Sequence, residues 1–165
     1  MPVFAAGLNS GAYKLVLVLH IMCAIVGFGA VFLNGLYAAQ VRAYKGREGL
    51  AISEANYEVS RVAEYAIYAV FVFGLILAIV ADRHFVEFSD AWLNISMILY
   101  IVGLGLSHGV LIPSHRKMNE LLRAGNRGTE LDAAFKRAAA TGGVLNLLLA
   151  VILFLMVFKP GGTKF

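Results

Sequence analysis

The chain has 165 residues, of which 60% are hydrophobic and only 15% are charged, and its mean hydropathy is +0.78. A typical soluble domain has about 25% charged residues, so the composition excludes a disordered chain and an ordinary soluble domain and indicates a membrane protein. The formal net charge is only +4, which we interpret as a signal of membrane topology, and we expect no nucleic-acid partner. The single cysteine, Cys23, excludes an intramolecular disulfide and a cysteine-rich metal site.

Four long apolar segments predict an all-α membrane protein with four transmembrane helices. A spanning helix needs about 20 residues at a rise of ~1.5 Å each. Together with the amphipathic stretches before the second and fourth segments, the predicted helices cover about 13–40, 53–81, 91–113 and 129–158. We expect them to form one integral membrane domain over 1–165.

The basic residues predict the orientation of the chain in the bilayer. Ten of the 14 lysine and arginine residues follow the first or the third helix, before the next apolar run begins. The positive-inside rule then places both termini outside and the two basic loops in the cytoplasm, in a multi-pass protein of the bacterial plasma (inner) membrane. Trp92, at the start of the third helix, fits an aromatic anchor at the interface.

The sequence contains a weak internal repeat. A shift of 76 residues aligns Val-Gly-Phe-Gly at 26–29 with Val-Gly-Leu-Gly at 102–105, and Ser53 with Thr129. This predicts two similar helical hairpins, 13–82 and 89–158, related as a parallel repeat; the alternative is chance similarity between apolar helices.

Small residues suggest two local roles. Ser53 and Thr129 fit the N-cap positions of the second and fourth helices. Five glycines are interpreted as sites of close helix packing: Gly27, Gly29, Gly103, Gly105 and Gly109.

Polar residues inside the bilayer are the candidate functional residues, because burying them in lipid is unfavourable. The strongest are His20 and His108, each of which fits a ligand of b-type haem, a proton relay, or a histidine hydrogen-bonded to a neighbouring helix. We estimate that they lie roughly 18 Å apart along the membrane normal, which predicts two sites rather than one shared haem. His84 and His115 are alternative partners for His20 and His108, respectively.

The remaining polar candidates have simpler interpretations. Glu64, at the edge of the second helix, is one turn from Arg61, which favours an intrahelical pair. Asn34 and Asn146 complete the set. No catalytic triad, zinc helix or phosphate loop is present, which favours a role other than catalysis.

The region around Leu19-His20, with Ala24, Gly27 and Gly29 after it, resembles an uncharacterised family of bacterial four-helix predicted integral membrane proteins with an early histidine. More distantly, it is similar to the membrane domains of CopD-type copper-resistance proteins and to HemJ-type membrane protoporphyrinogen oxidases. The resemblance implies haem association at His20.

Two functions follow from the sequence. The first is an accessory or assembly subunit whose apolar faces dock onto a larger membrane complex or onto a second copy of the chain. The alternative is a b-type haem-binding or redox membrane protein that uses His20, His108 or both.

Overall fold

The computed structural model describes residues 10–44, 46–80 and 88–161, and these form four long helices. The helices are α1 (Gly11–Ala43), α2 (Arg47–Val80), α3 (Ala91–Arg123) and α4 (Thr129–Phe158), and each is long and apolar enough to cross a membrane. There is no strand in the part of the chain that is described. The predicted all-α class with four spanning helices is confirmed.

Two predicted helix boundaries are wrong. α2 begins at Arg47, so Ser53 lies inside the helix, where its buried hydroxyl donates a hydrogen bond to Asn119 of α3 and caps nothing. α3 continues past its predicted end to Arg123, so the predicted basic loops are mostly helix. α4 does begin at Thr129, but no side chain caps it, and the preceding Gly128 occupies the N-cap position.

A wide helical turn lets α3 continue through a proline. Pro113 has no N–H, and its ring would collide with the carbonyl group four residues earlier in a regular α-helix. The residues just before it, Ser107–Leu111, form a π-helical turn. Such turns occur inside α-helices and often mark functional sites. The π-helical turn therefore explains why the helix α3 continues beyond the end of the third apolar run. His108 lies within this turn.

The four helices form a ring in which each contacts two neighbours. α1 packs most extensively against α2, α4 packs against both α3 and α1, and α2 approaches α3 closely only along Ile112–Arg123. We call the end where α1 ends, α2 begins, α3 ends and α4 begins the basic end. Toward the opposite end, the backbones of α2 and α3 separate. The two-hairpin repeat stays a prediction.

The interior is best packed near the basic end. One buried cluster there comprises Val41, Leu111, Met118, Leu121, Leu131, Ala134, Phe135, Ala138 and Leu145. A smaller one at the opposite end comprises Trp92, Leu93 and Leu155. Trp92 is buried, with the Lys159 ammonium group 5.5 Å from its ring centroid, and its role as an aromatic anchor at the membrane interface stays a prediction. Many large apolar side chains remain exposed on the outside, as expected for a surface solvated by lipid.

The five predicted packing glycines behave differently. A Cβ atom on Gly27 would lie 2.7 Å from Cγ1 of Ile67 and 3.2 Å from its backbone nitrogen, so α1 and α2 approach closely there. A Cβ atom on Gly103 would make only ordinary contact, 3.7 Å from Leu145. Gly29, Gly105 and Gly109 face open space. The packing role is confirmed for Gly27 and is wrong for these last three.

Candidate functional site

His20 makes a hydrogen bond between α1 and α2. Its Nδ1–H group donates to the carbonyl oxygen of Val70 at 2.9 Å. The ring lies against Gly74, where a Cβ atom would be 3.0 Å from Cε1 of the imidazole. Within the described residues, Nε2 of His20 has no hydrogen-bond partner. Gly74, which sequence reasoning did not single out, therefore provides the space for this ring.

His108 belongs to a cluster with Glu64 and Tyr68 of α2. Its Nε2 atom lies 2.6 Å from Oε1 of Glu64 and 2.6 Å from the Tyr68 hydroxyl, which in turn donates to Oε1 of Glu64 at 2.7 Å. Its Nδ1–H group donates to the carbonyl oxygen of Leu104 at 2.9 Å. Both ring nitrogens are thus bound by protein groups, and a ligand bond to iron would have to displace Glu64 and Tyr68.

The predicted pairing of Glu64 with Arg61 is wrong. Arg61 instead lies 3.6 Å from Glu58, and both of these side chains are exposed. Residues four apart on a helix share a face, so Glu64 and Tyr68 lie on the same face of α2. That face is directed toward α3, where both side chains contact His108. The carboxylate therefore finds its partners across the helix interface.

The two predicted ligands, His20 and His108, occupy different sides of α2. His20 contacts α2 at Val70 and Gly74, whereas His108 contacts α2 at Glu64 and Tyr68, six residues earlier in each case. A shift of six residues along a helix corresponds to ~9 Å and to a rotation of about 120° between the two faces. The structure therefore does not bring these histidines together, although their axial separation is smaller than the sequence estimate.

The histidines suggested as alternative partners are not paired with them either. His84 lies outside the described residues. His115 is buried, with only 6% of its surface exposed, and makes no hydrogen bond to any residue in the described ranges. Because His108 and His115 are seven residues apart on α3, they lie about 10 Å apart along the helix.

A crevice lies among the helices of the bundle, and the partly exposed side chains of His108 and Glu64 line it on the facing helices α3 and α2. All four helices line it, and the empty space in and around it, open surroundings included, amounts to about 880 Å³. Toward the basic end its lining combines the apolar Val31, Ala63, Leu111 and Ile112 with a set of polar side chains: Asn34, Tyr57, Ser60, Arg61, Glu64, Ser107, His108 and His115. Toward the opposite end its lining is largely apolar: Phe28, Ile67, Leu99, Tyr100, Leu148, Leu149 and Ile152. Apart from the Tyr100 hydroxyl, the polar side chains of the lining thus lie in the half of the crevice nearer the basic end.

Side chains bridge the gap between α2 and α3 in an antiparallel register. From the basic end onward, Ser53 contacts Asn119, Tyr57 accepts from Arg116, Glu64 contacts His108, and Tyr100 donates to the carbonyl oxygen of Ile67. The ring of Phe71 stacks on Tyr100 with centroids 5.2 Å apart. The His108 cluster is partly exposed, since 45% of the His108 side chain and 25% of the Glu64 side chain are accessible.

The two asparagines noted in the sequence are placed differently. Asn34 is buried and accepts a hydrogen bond from Ser60 at 3.2 Å at the crevice wall. The side-chain oxygen of Asn146 is buried without a partner, but this residue does not line the crevice.

Sequence reasoning missed two members of the site. Tyr68 is not conspicuous in the sequence, and His115 was considered only as a partner of His108. The available signal was the spacing of Glu64 and Tyr68, which puts two polar groups on one face at the edge of an apolar run.

The described residues contain no group of three or more His, Cys, Asp or Glu side chains arranged to hold a metal ion. Haem needs fewer protein ligands, and His20 fits the requirement for one. Its Nδ1–H group is oriented by a backbone carbonyl while Nε2 remains available, which is the usual arrangement of a metal-ligating histidine. At His108 the fit is poorer, because both nitrogens already have partners.

Four apolar helices around a partly polar interior define an integral membrane protein of the helical class. Residues 14–160 match the family of predicted integral membrane proteins designated DUF2269, and the chain belongs to that family. No curated protein and no solved structure matches the chain.

Proposed function

We propose that the protein binds an amphipathic membrane molecule in the crevice, with its polar head toward the basic end and its apolar tail toward the opposite end. The observation that carries the proposal is the buried imidazole of His115, which lines the crevice without a hydrogen-bond partner in the described chain. The ring nitrogens of His115 retain some accessible surface, unlike the fully enclosed and unpartnered side-chain oxygens of Asn56 and Asn146, so a polar atom of a ligand can reach them.

The shape of the crevice supports the same conclusion. Ligand pockets typically combine a mostly apolar wall with a few polar groups that fix orientation. Here the polar groups are concentrated over about 10 Å, between the levels of His115 and His108, and the apolar wall follows. Beyond Ile112 only side chains join α2 to α3, so a molecule dissolved in the bilayer would enter between these helices by displacing side chains and not backbone.

Blocking the apolar part of the crevice tests the proposal. Leu149 lines the crevice, whereas Leu147, on the same helix, is 66% exposed on the outside. We expect Leu149→Trp to remove a bound amphipathic molecule and Leu147→Trp to retain it. The protein is purified in dodecyl maltoside, its solvent extract is analysed by mass spectrometry, and each species is counted per protein chain.

The wild type and Leu147→Trp should carry one class of amphipathic species at close to one molecule per chain. In Leu149→Trp that species should decrease about tenfold or more, since a clash of only ~1.4 kcal/mol lowers affinity tenfold. An identical extract from all three proteins would overturn the proposal.

Haem binding at His20 is a second candidate, and the Nδ1–H bond to Val70 is the observation that favours it. The ring is held in one orientation against Gly74, and Nε2 would be the iron ligand. When bound, haem would supply electron-transfer chemistry.

The haem candidate predicts a difference between the two histidines. In a reduced-minus-oxidised absorption spectrum of protein produced with haem available, we expect a b-type α-band that His20→Ala abolishes and His108→Ala retains. A flat wild-type spectrum would rule out haem, and loss of the band in His108→Ala alone would move the ligand to α3.

The accessory or assembly role, for a larger membrane complex or a homo-oligomer, stays a prediction, and binding of an amphipathic molecule is compatible with it. The positive-inside rule supports placing the basic end in the cytoplasm of a bacterial cell, with both termini outside the plasma membrane.

A further inference from the structure

Glu64 has one carboxyl oxygen that no described residue satisfies. Its Oε1 atom receives the Tyr68 hydroxyl and faces His108, whereas Oε2 has no hydrogen-bond partner in the described ranges. Glu64 lines the crevice at the level beyond which its lining is largely apolar. The group therefore lies where the head of an amphipathic molecule would meet its tail.

The Glu64 carboxyl group presents this oxygen to the crevice as a hydrogen-bond acceptor. The two ring nitrogens of His108 each face an oxygen, Leu104 O at 2.9 Å and Glu64 Oε1 at 2.6 Å. The Oε2 atom of Glu64 is therefore free to accept a hydrogen bond from a ligand.

The charges around the crevice restrict the head group that fits this acceptor. An anionic head would meet the carboxyl group of Glu64. A cationic head would meet Arg61, which lines the crevice, and Arg116, which donates to Tyr57 at the crevice wall. An uncharged group that donates a hydrogen bond avoids both conflicts, and a hydroxyl is the simplest such group.

We propose that Glu64 selects molecules whose uncharged head carries a hydroxyl group at the junction with the apolar tail. This inference rests on the proposed function, since it specifies which amphipathic molecule the crevice takes. Glu64 is the specificity-determining residue, and Tyr68 and His108 position its carboxyl group.

Two probes that differ only in their hydroxyl groups test the inference. These are 1-O-dodecylglycerol and its 2,3-di-O-methyl ether, both radiolabelled in the alkyl chain. Binding to protein in dodecyl maltoside is measured by gel filtration, with Leu149→Trp as the blank for partition into the micelle. We expect the wild type to prefer the hydroxyl probe by about tenfold or more, because a hydrogen bond to a charged or strongly polar acceptor is lost with the ether.

Substitution then assigns the preference to Glu64. We expect Glu64→Leu to bind both probes within about twofold, and Glu58→Leu to keep the wild-type preference because Glu58 is 66% exposed and lies outside the crevice. If the wild type binds both probes equally, the inference is overturned and the proposed function stands. If the wild type binds neither probe, both the inference and the proposed function fail. A preference that survives in Glu64→Leu overturns the role of Glu64, and the wild-type result does not depend on whether that variant folds.

Discussion

Gly27→Ala is expected to destabilise the protein by about 1–3 kcal/mol, the usual cost of forcing extra volume into a packed interface. The new Cβ atom would lie 2.7 Å from Cγ1 of Ile67, 3.2 Å from its backbone nitrogen and 3.4 Å from the carbonyl oxygen of Ala63. The Ile67 side chain can rotate, but the two backbone atoms cannot move without separating α1 from α2. The measurement is thermal unfolding in detergent.

Gly29→Ala is the matched control for this substitution. It adds the same methyl group two residues along the same helix, where no atom lies within 4 Å of the new Cβ. Because alanine is favoured over glycine in a helix by roughly 1 kcal/mol, this variant should be unchanged or more stable. Equal destabilisation of the two variants would contradict the close contact at Gly27.

This interface also supports the crevice. Ile67 accepts the Tyr100 hydroxyl through its carbonyl oxygen at 2.8 Å, and Ile67 and Tyr100 both line the crevice. Displacement of α2 by Gly27→Ala is therefore expected to weaken binding of the 1-O-dodecylglycerol probe as well, whereas Gly29→Ala should leave it unchanged.

Asn119→Leu is expected to cost about 1–3 kcal/mol, because it leaves the buried Ser53 hydroxyl without its acceptor. This pair holds α2 against α3 below the crevice, so its loss should also lower the unfolding temperature in detergent.

A double-mutant cycle separates the hydrogen bond from other effects of the leucine. Ser53→Ala/Asn119→Leu removes both polar groups, and we expect it to recover part of the stability that Asn119→Leu loses. If the two substitutions are simply additive, Ser53 and Asn119 do not depend on each other and the interpretation is wrong.

Much of the fold was predictable because hydropathy is a local property of the chain. The four apolar runs are each long enough for a bilayer, and α4 covers 129–158 as predicted. The ends of α2 and α3 were not predictable in this way, because Arg47–Ser53 and Ser114–Arg123 are polar enough to be loops. They are helical because buried contacts such as that of Ser53 with Asn119 stabilise them.

The candidate site was only partly visible in the sequence. His20, His108 and Glu64 are conspicuous because polar residues are rare in apolar runs. Their partners were not, since Glu64 was assigned to Arg61, its neighbour on the same helix, and instead contacts His108 across the bundle. Likewise, Gly27 and Gly29 look equivalent in the sequence, and only one of them faces another helix.

The sequence by itself determined the class of protein, the number of spanning helices and the polar residues available inside them. Only the tertiary structure decided which of these residues meet, which glycines are in contact and where the crevice lies. The physical reason is that lipid chains are as apolar as the helix interfaces, so hydrophobic patterning does not mark which face of a membrane helix points inward. That choice depends on how all four helices pack together.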